Sequence, residues 1–354
     1  MVKDGASDLH LTAGLPPKYR VGGNVKDVPG WKPLPERHLA SMLLSTMPDR
    51  AKKEFDETKD ADFANEIEGV ARFRFNAGVD MHGVFAVVRV IPHEILTPDQ
   101  IGLPREVLNL CYLTKGLVLV TGPTGSGKST TLATLIDHIN RNRDDHIITI
   151  EDPVEFVHSD KHRCLIRQRE VGVHTGSFKR ALKAALRQDP DIILIGELRD
   201  LETIEIALET AETGHLVFGT LHTSTAPSTV DRIVDQFPAD QQSQIRVMVG
   251  GALRGVIAQT LCKKIGGGRV AAYEILLSNK AIANLIREGK TFQLYSMIQV
   301  GKSVGMVTLN ESLMRLVANK LVSPEEAHMK AVDKDELVGM FAKAGIEAKL
   351  GVES

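Results

Sequence analysis

The rhythm of apolar and polar positions changes once along the chain, near residue 97. Up to that point, short alternating runs are broken by Gly and Pro clusters at 14–17, 21–24 and 28–35. Residues 36–58 carry helical spacing, with Leu39, Leu43, Leu44 and Met47 on one face. The stretch 70–91 predicts two strands, VARFRFNAG and GVFAVVRVI, joined across 79–82. Residues 1–97 therefore read as a small α+β domain. TPDQIGLP combines two prolines with the change of pattern, which predicts a linker over 98–104.

From residue 116 onward the pattern becomes apolar strand, turn, helix, repeated. The runs at 116–120, 146–150, 191–196 and 215–220 are continuously apolar, as strands buried on both faces must be. Helical stretches are predicted near 127–140, 177–188 and 201–213. This alternation implies an α/β fold with a mainly parallel sheet and crossover helices. The second domain then spans 105–354, of which 278–354 is helical in pattern. No internal repeat or low-complexity tail is present.

A length of 354 residues suits two domains, and 43% hydrophobic with 25% charged residues suits a soluble globular protein. The formal net charge of −2 gives no global electrostatic case for a nucleic-acid partner. Cys111, Cys164 and Cys262 lie far apart and form no C-x-x-C pair, against a disulfide scaffold or zinc ribbon and in favour of the cytoplasm. The N-terminal residues lack the apolar core of a signal peptide. The apolar runs are too short to cross a bilayer, so any work at a membrane is expected from its cytoplasmic side.

GPTGSGKST, residues 122–130, fits G-x-x-x-x-G-K-[ST] between a predicted strand and a predicted helix. The expected binding residues are Gly122, Pro123, Thr124, Gly125, Ser126, Gly127, Lys128, Ser129 and Thr130. The glycines let backbone N–H groups approach phosphate oxygens, and the following helix aims its positive end at the same anion. Lys128 is expected on the β- and γ-phosphates of ATP, and the Ser129 hydroxyl on Mg²⁺. DIILIGE ends an apolar strand in Glu197, the candidate general base, with Asp200 close by. An isolated Glu at a strand end is commonly a solvated cap; beside a phosphate loop it gains a use. IEDPVE brings Glu151, Asp152 and Glu155 to another strand end, and TGHLVFGTLHT places His222 after a third. Ligands of parallel sheets bind beyond such ends, although a lone His there is usually structural.

Together these four segments resemble the Walker A, Asp box, Walker B and His box of the type II/type IV secretion ATPases, in matching order and spacing. GASDLHLTAGLPP, GVARFRFNA, IGGGRVAAYEIL and AIANLIREGK further resemble the pilus-retraction branch of that family. The resemblance implies a RecA-like ATPase core with a smaller PAS-like N-terminal domain, assembled as a homo-hexameric ring. It implies that ATP hydrolysis moves the domains and drives pilin subunits back into the inner membrane. The implied partners are an inner-membrane platform protein and the pilin machinery, with a partner ATPase as a further candidate. The implied location is the inner face of the cytoplasmic membrane. By position Glu197 is the Walker B acid, Glu155 the Asp-box acid and His222 the His-box histidine. Arg72, Arg74 and Arg89 are the candidates to complete the site; a solvated strand face is the plain alternative.

Neither the extra N-terminal domain nor the four-cysteine metal module of assembly and secretion relatives is found, which disfavours those motors. A nucleic-acid motor is disfavoured by charge, and a non-hydrolysing sensor by the intact Glu197. The helix that precedes GASDLH in the family is expected to be absent or shortened here. Ala283 stands where the family's AIRNLIRE motif has Arg. Helical spacing over 281–288 predicts Ala281, Ile282, Leu285 and Ile286 on one face, with Ala283 and Arg287 on the more polar side.

Overall fold

The computed structural model describes residues 1–91, 94–159 and 162–348. The last six residues of the predicted helical C-terminal part, 349–354, lie outside the described residues. The chain forms two compact units. The first is Met1–Ile95 with Asp152–Val157 and Glu170–His174; the second is Leu96–Glu151, His158–Arg169 and Thr175–Ser354. The two short later segments are not foreseen by the sequence pattern, which divides the chain once.

The first unit is an antiparallel sheet built on β1 (Asp8–Thr12), β2 (Lys18–Val21), β3 (Asn24–Asp27), β4 (Asp60–Ile67), β5 (Ala71–Asp80) and β6 (Gly83–Ile91), in the order β3-β2-β1-β6-β5-β4. Two helices, α1 (Glu36–Thr46) and α2 (Asp49–Thr58), replace the single helical stretch expected over 36–58. Pro48 is the cause: its ring disfavours the helical conformation at Met47, which is extended with ψ 131°. Leu39, Leu43 and Met47 enter the core with Phe55, Phe63 and Phe73 as the pattern requires. Leu44, placed on the same face by spacing, is instead 39% exposed, because it lies about 100° round the helix from the buried Leu43 and so off the stripe that Leu39 and Leu43 define.

The second unit is organised by β7 (Gly116–Thr121), β8 (His146–Glu151), β9 (Leu165–Glu170), β10 (Ile192–Ile195), β11 (Leu216–Leu221), β12 (Leu253–Lys263) and β13 (Arg269–Leu277). Their order is β13-β12-β7-β11-β10-β8-β9. The run β12-β7-β11-β10-β8 is parallel, and β13 adds antiparallel to β12. Strands β7, β10 and β11 are buried at every position, which is why their sequences are unbroken apolar runs. The predicted helices are α4 (Lys128–Asn142), α5 (Phe178–Ala185) and α6 (Leu201–Thr213), after a short α3 (Arg105–Leu108). Next come α7 (Ala226–Val234) and α8 (Gln242–Ala252).

The C-terminal part is helical as expected: α9 (Lys280–Arg287), α10 (Leu294–Val300), α11 (Leu309–Ala318), α12 (Pro324–Lys330) and α13 (Lys334–Lys343). Leu313, Leu337 and Phe341 form its core against Cys262 and Ala272 of the β12–β13 hairpin. In α9 the buried face is Ile282, Ala283 and Ile286, so the predicted face is rotated. Ala281 lies exposed, and Ala283, expected on the polar side, is 8% exposed. Gly250 of α8 explains this, since it has no side chain to hold the Ala283 backbone away. Cys111, Cys164 and Cys262 are all buried free thiols.

Candidate nucleotide site

Parallel register brings several strand ends to one edge of the second unit. Thr121 of β7 lies opposite Leu221 of β11, and Ile195 of β10 opposite Gly219. The loops that leave these ends carry the predicted phosphate loop, Glu197 and His222. Gly122 leaves β7 at φ +147°, and its missing Cβ would sit 2.3 Å from the Gln259 carbonyl of β12, so no other residue fits there. Gly127 closes the loop in the left-handed region at φ +90° and caps α4. Pro123, Thr124 and Gly125 form the exposed tip, whereas Ser126 is buried with its Oγ lacking a hydrogen-bond partner.

Lys128 is the first residue of α4, followed by Ser129 and Thr130. Its Nζ donates to the carbonyls of Gly122 at 2.8 Å and Pro123 at 3.3 Å, so the ammonium lies over the loop. A cation over the loop and the positive end of a 15-residue helix together favour an anion at this place. The cradle fits a nucleotide triphosphate on these observations. Among the described residues no group of three or more His, Cys, Asp or Glu is placed to hold a metal ion. Mg²⁺ is commonly brought in on phosphates and water with only one or two protein oxygens, so the chain would need to offer little more than a hydroxyl such as that of Ser129.

Glu197 is held on both oxygens: His222 Nε2 lies 3.0 Å from Oε1, and Arg199 Nη2 lies 2.6 Å from Oε2. Burial pushes its carboxyl up, but the Arg199 hydrogen bond and charge, helped by His222, outweigh it and hold the group below the usual carboxylate range. Its backbone is pinned on either side. Thr220 Oγ1 donates to the Gly196 carbonyl, and the Leu198 N–H donates to the Thr220 carbonyl at 3.0 Å. Asp200 caps α6, accepting from the Thr203 N–H at 2.9 Å and its hydroxyl at 2.8 Å, so its place is structural. Glu151 accepts from the Thr149 hydroxyl at 2.6 Å and the Gln168 amide at 3.2 Å.

The remaining predicted residues belong to the first unit. Arg72 and Arg74 share one face of β5, and Arg89 of β6 lies directly opposite Arg74. Like charges in register repel, and acids relieve them. Arg74 makes a two-pronged pair with Asp62 at 3.1 and 2.7 Å and reaches Glu155 at 3.5 Å. Arg72 pairs with Glu170 at 3.2 Å, and Arg89 with Asp8 at 2.8 Å. Glu170 also accepts the Val154 N–H at 3.1 Å, which ties the Asp-box segment to the arginine row. Glu155 thus sits with the three arginines in one unit, and Glu197, His222 and the phosphate loop in the other.

Sequence reasoning missed Arg199, which follows Glu197 by two and holds it, and Gln259 of β12. The polar residue that ends the apolar run 255–258 is the signal that could have drawn attention to Gln259.

Residues 1–267 match the model of the family described as Type II/IV secretion system protein. The type IV pilus retraction ATPase PilT of Pseudomonas aeruginosa is 54% identical over 329 residues, covering 93% of this chain and 95% of its own. A twitching motility protein of Neisseria gonorrhoeae is 47% identical over 91% of this chain and 86% of its own. Among solved structures, the pilus retraction motor PilT with bound ADP superposes with a TM-score of 0.87 at 48% identity, covering 96% of this chain and 97% of that one. With the matched region, the identities and the superposition in agreement, the chain belongs to the type II/IV secretion system protein family.

Proposed function

We propose that this chain is an ATPase motor that hydrolyses ATP to power retraction of type IV pili and so drives twitching motility. The observation that carries the reading is the meeting, on one edge of a parallel sheet, of the 122–130 loop with an ionised Glu197 held by His222. The retraction function named for PilT, and the twitching motility named for the Neisseria gonorrhoeae relative, support it at identities near half. Lys128, the loop N–H groups and the start of α4 offset the triphosphate charge. The Ser129 hydroxyl would hold Mg²⁺, which when bound would supply charge to offset the phosphates. Glu197 orients and accepts a proton from the attacking water; its lowered carboxyl keeps it ionised, and so able to accept, at neutral pH. His222 steadies that carboxylate. The arginine row Arg72, Arg74 and Arg89 supplies positive charge to the γ-phosphate, acting across a subunit boundary in a homo-hexamer, and Glu155, the acid beside Arg74, serves water or metal and not the phosphate itself. The motor works at the inner face of the cytoplasmic membrane, on an inner-membrane platform protein and the pilin machinery.

Two variants test the reading. Lys128→Ala should lose ATP affinity and turnover together. Glu197→Gln should keep ATP binding while turnover falls roughly 10²–10⁴-fold, as for an acid that acts chiefly in the transition state. Both should abolish pilus retraction in cells. Wild-type turnover in either, measured by phosphate release with and without Mg²⁺, would overturn the assignment.

A further inference from the structure

Gln259 stands in β12 one residue beyond Ala258, which is in register with Thr121 at the end of β7. It is 3% exposed and directly follows the buried run Gly255–Ala258. A buried amide needs partners on both its oxygen and its nitrogen, and this one finds them on the two flanks of Gly127. Its Nε2 donates to the Ser126 carbonyl at 2.7 Å. Its Oε1 accepts from the Thr131 hydroxyl in the first turn of α4 at 2.8 Å. Even the space is shared, since a Cβ on Gly127 would come within 3.2 Å of the same Nε2.

The peptide plane between Ser126 and Gly127 is therefore fixed from one side. In a trans peptide the C=O and the following N–H point in opposite directions. A Ser126 carbonyl drawn towards Gln259 turns the Gly127 N–H the other way, off β12. Thr131 in turn holds the amide in its orientation, with the oxygen on α4 and the donor on the loop.

We infer that Gln259 is a positioning residue of the nucleotide site: it sets the Ser126–Gly127 peptide so that the Gly127 N–H is presented to the phosphates. The inference rests on the reading of 122–130 as the phosphate loop. It concerns ground-state binding more than the chemical step, because the N–H meets phosphate in ADP and ATP alike. Its loss should therefore appear in affinity and KM rather than in kcat.

The decisive change is Gln259→Glu. Once ionised, the carboxylate keeps the acceptor for Thr131 and replaces the donor to Ser126 by a repelling oxygen, with almost no change of volume. The protonated acid would donate as the amide does, so affinity is titrated across pH and the loss is expected to grow as pH rises. In the full-length chain, ADP affinity is expected to fall roughly 10-fold or more and KM for ATP to rise in step, while kcat falls less. A lost hydrogen bond with an acceptor facing an acceptor supports that scale. Thr131→Val leaves the donor intact but frees the amide to turn, so a smaller loss, about 2–5-fold, is expected. Nucleotide-free melting is recorded for both variants, and Lys128→Ala is titrated beside them. Wild-type ADP affinity in Gln259→Glu with impaired binding in Lys128→Ala would overturn the role of Gln259 alone. Undiminished binding in Lys128→Ala would instead overturn the phosphate loop itself. Should Gln259→Glu fail to fold, undiminished ADP affinity in a well-folded Thr131→Val would count against the tether, and a loss confined to affinity would support it.

Discussion

Glu274 lies in β13 at 1% exposure, where its Oε1 accepts the Ala226 N–H that opens α7. Burial pushes its carboxyl up to about 7 from an ordinary 4.5. A group whose folded pKa is raised binds its proton more tightly in the folded state. Its contribution is present below pH 4.5 and is lost as pH rises through about 7. Glu274→Gln should therefore flatten the fall in stability across that window, read as denaturation midpoints from acid to neutral pH. An unchanged slope would mean the carboxylate is ionised throughout. At the active carboxylate the sign is opposite. His222 helps hold Glu197 below the usual carboxylate range, so His222→Ala should move the acidic limb of the kcat/KM profile to higher pH as well as lowering turnover.

At the scale of elements, the packing of α8 on α9 gives a prediction against habit. Replacing a mid-helix glycine by alanine usually stabilises by about 0.5–1 kcal/mol. At Gly250 the new Cβ would meet the Ala283 carbonyl at 2.9 Å and Arg287 Cγ at 3.1 Å, and backbone cannot swing aside. Gly250→Ala should lower the melting temperature, with a loss of about 1–3 kcal/mol from overpacking exceeding the helical gain. Ala283→Arg should also destabilise, because the position is buried and restoring the family residue adds bulk there. Strands such as β7 and β11 were legible from sequence because both faces are covered, leaving no polar interruption to confuse the pattern. The hairpin of β12 and β13 was not, since Gln259 and Glu274 look like exposed positions until their partners on the loop and on α7 are known. The break before α2 needed only Pro48 to be weighed. The phosphate loop and Glu197 were readable from local motif and spacing, whereas His222, at a strand end where a lone His is usually structural, stood out only through the family resemblance. The grouping of Glu155 with Arg74, 81 residues away in sequence, depends on pairing that no local window contains.

For the whole molecule, the arginine row and the phosphate loop fall in different compact units. If Arg74 serves a neighbouring copy's nucleotide, mixing Arg74→Ala with Lys128→Ala should restore part of the turnover that each lacks alone. Rescue should peak near equal ratios, and the ATP-bound wild-type particle should have the mass of a hexamer. A monomeric mass, or no rescue at any ratio, would confine the arginine to its own chain. Among the described residues no helix is long and apolar enough to cross a membrane. The buried thiols bear on how the motor can be watched. Burial pushes Cys111 up to about 12 and Cys262 up to about 11, so almost no thiolate forms at neutral pH, and Cys164 is likewise covered and raised. A single cysteine placed at Met81, 91% exposed on the β5–β6 turn, would then take a maleimide dye far faster than any native thiol. The natural sequence is in effect a dark background on which one fluorophore per subunit can report each power stroke.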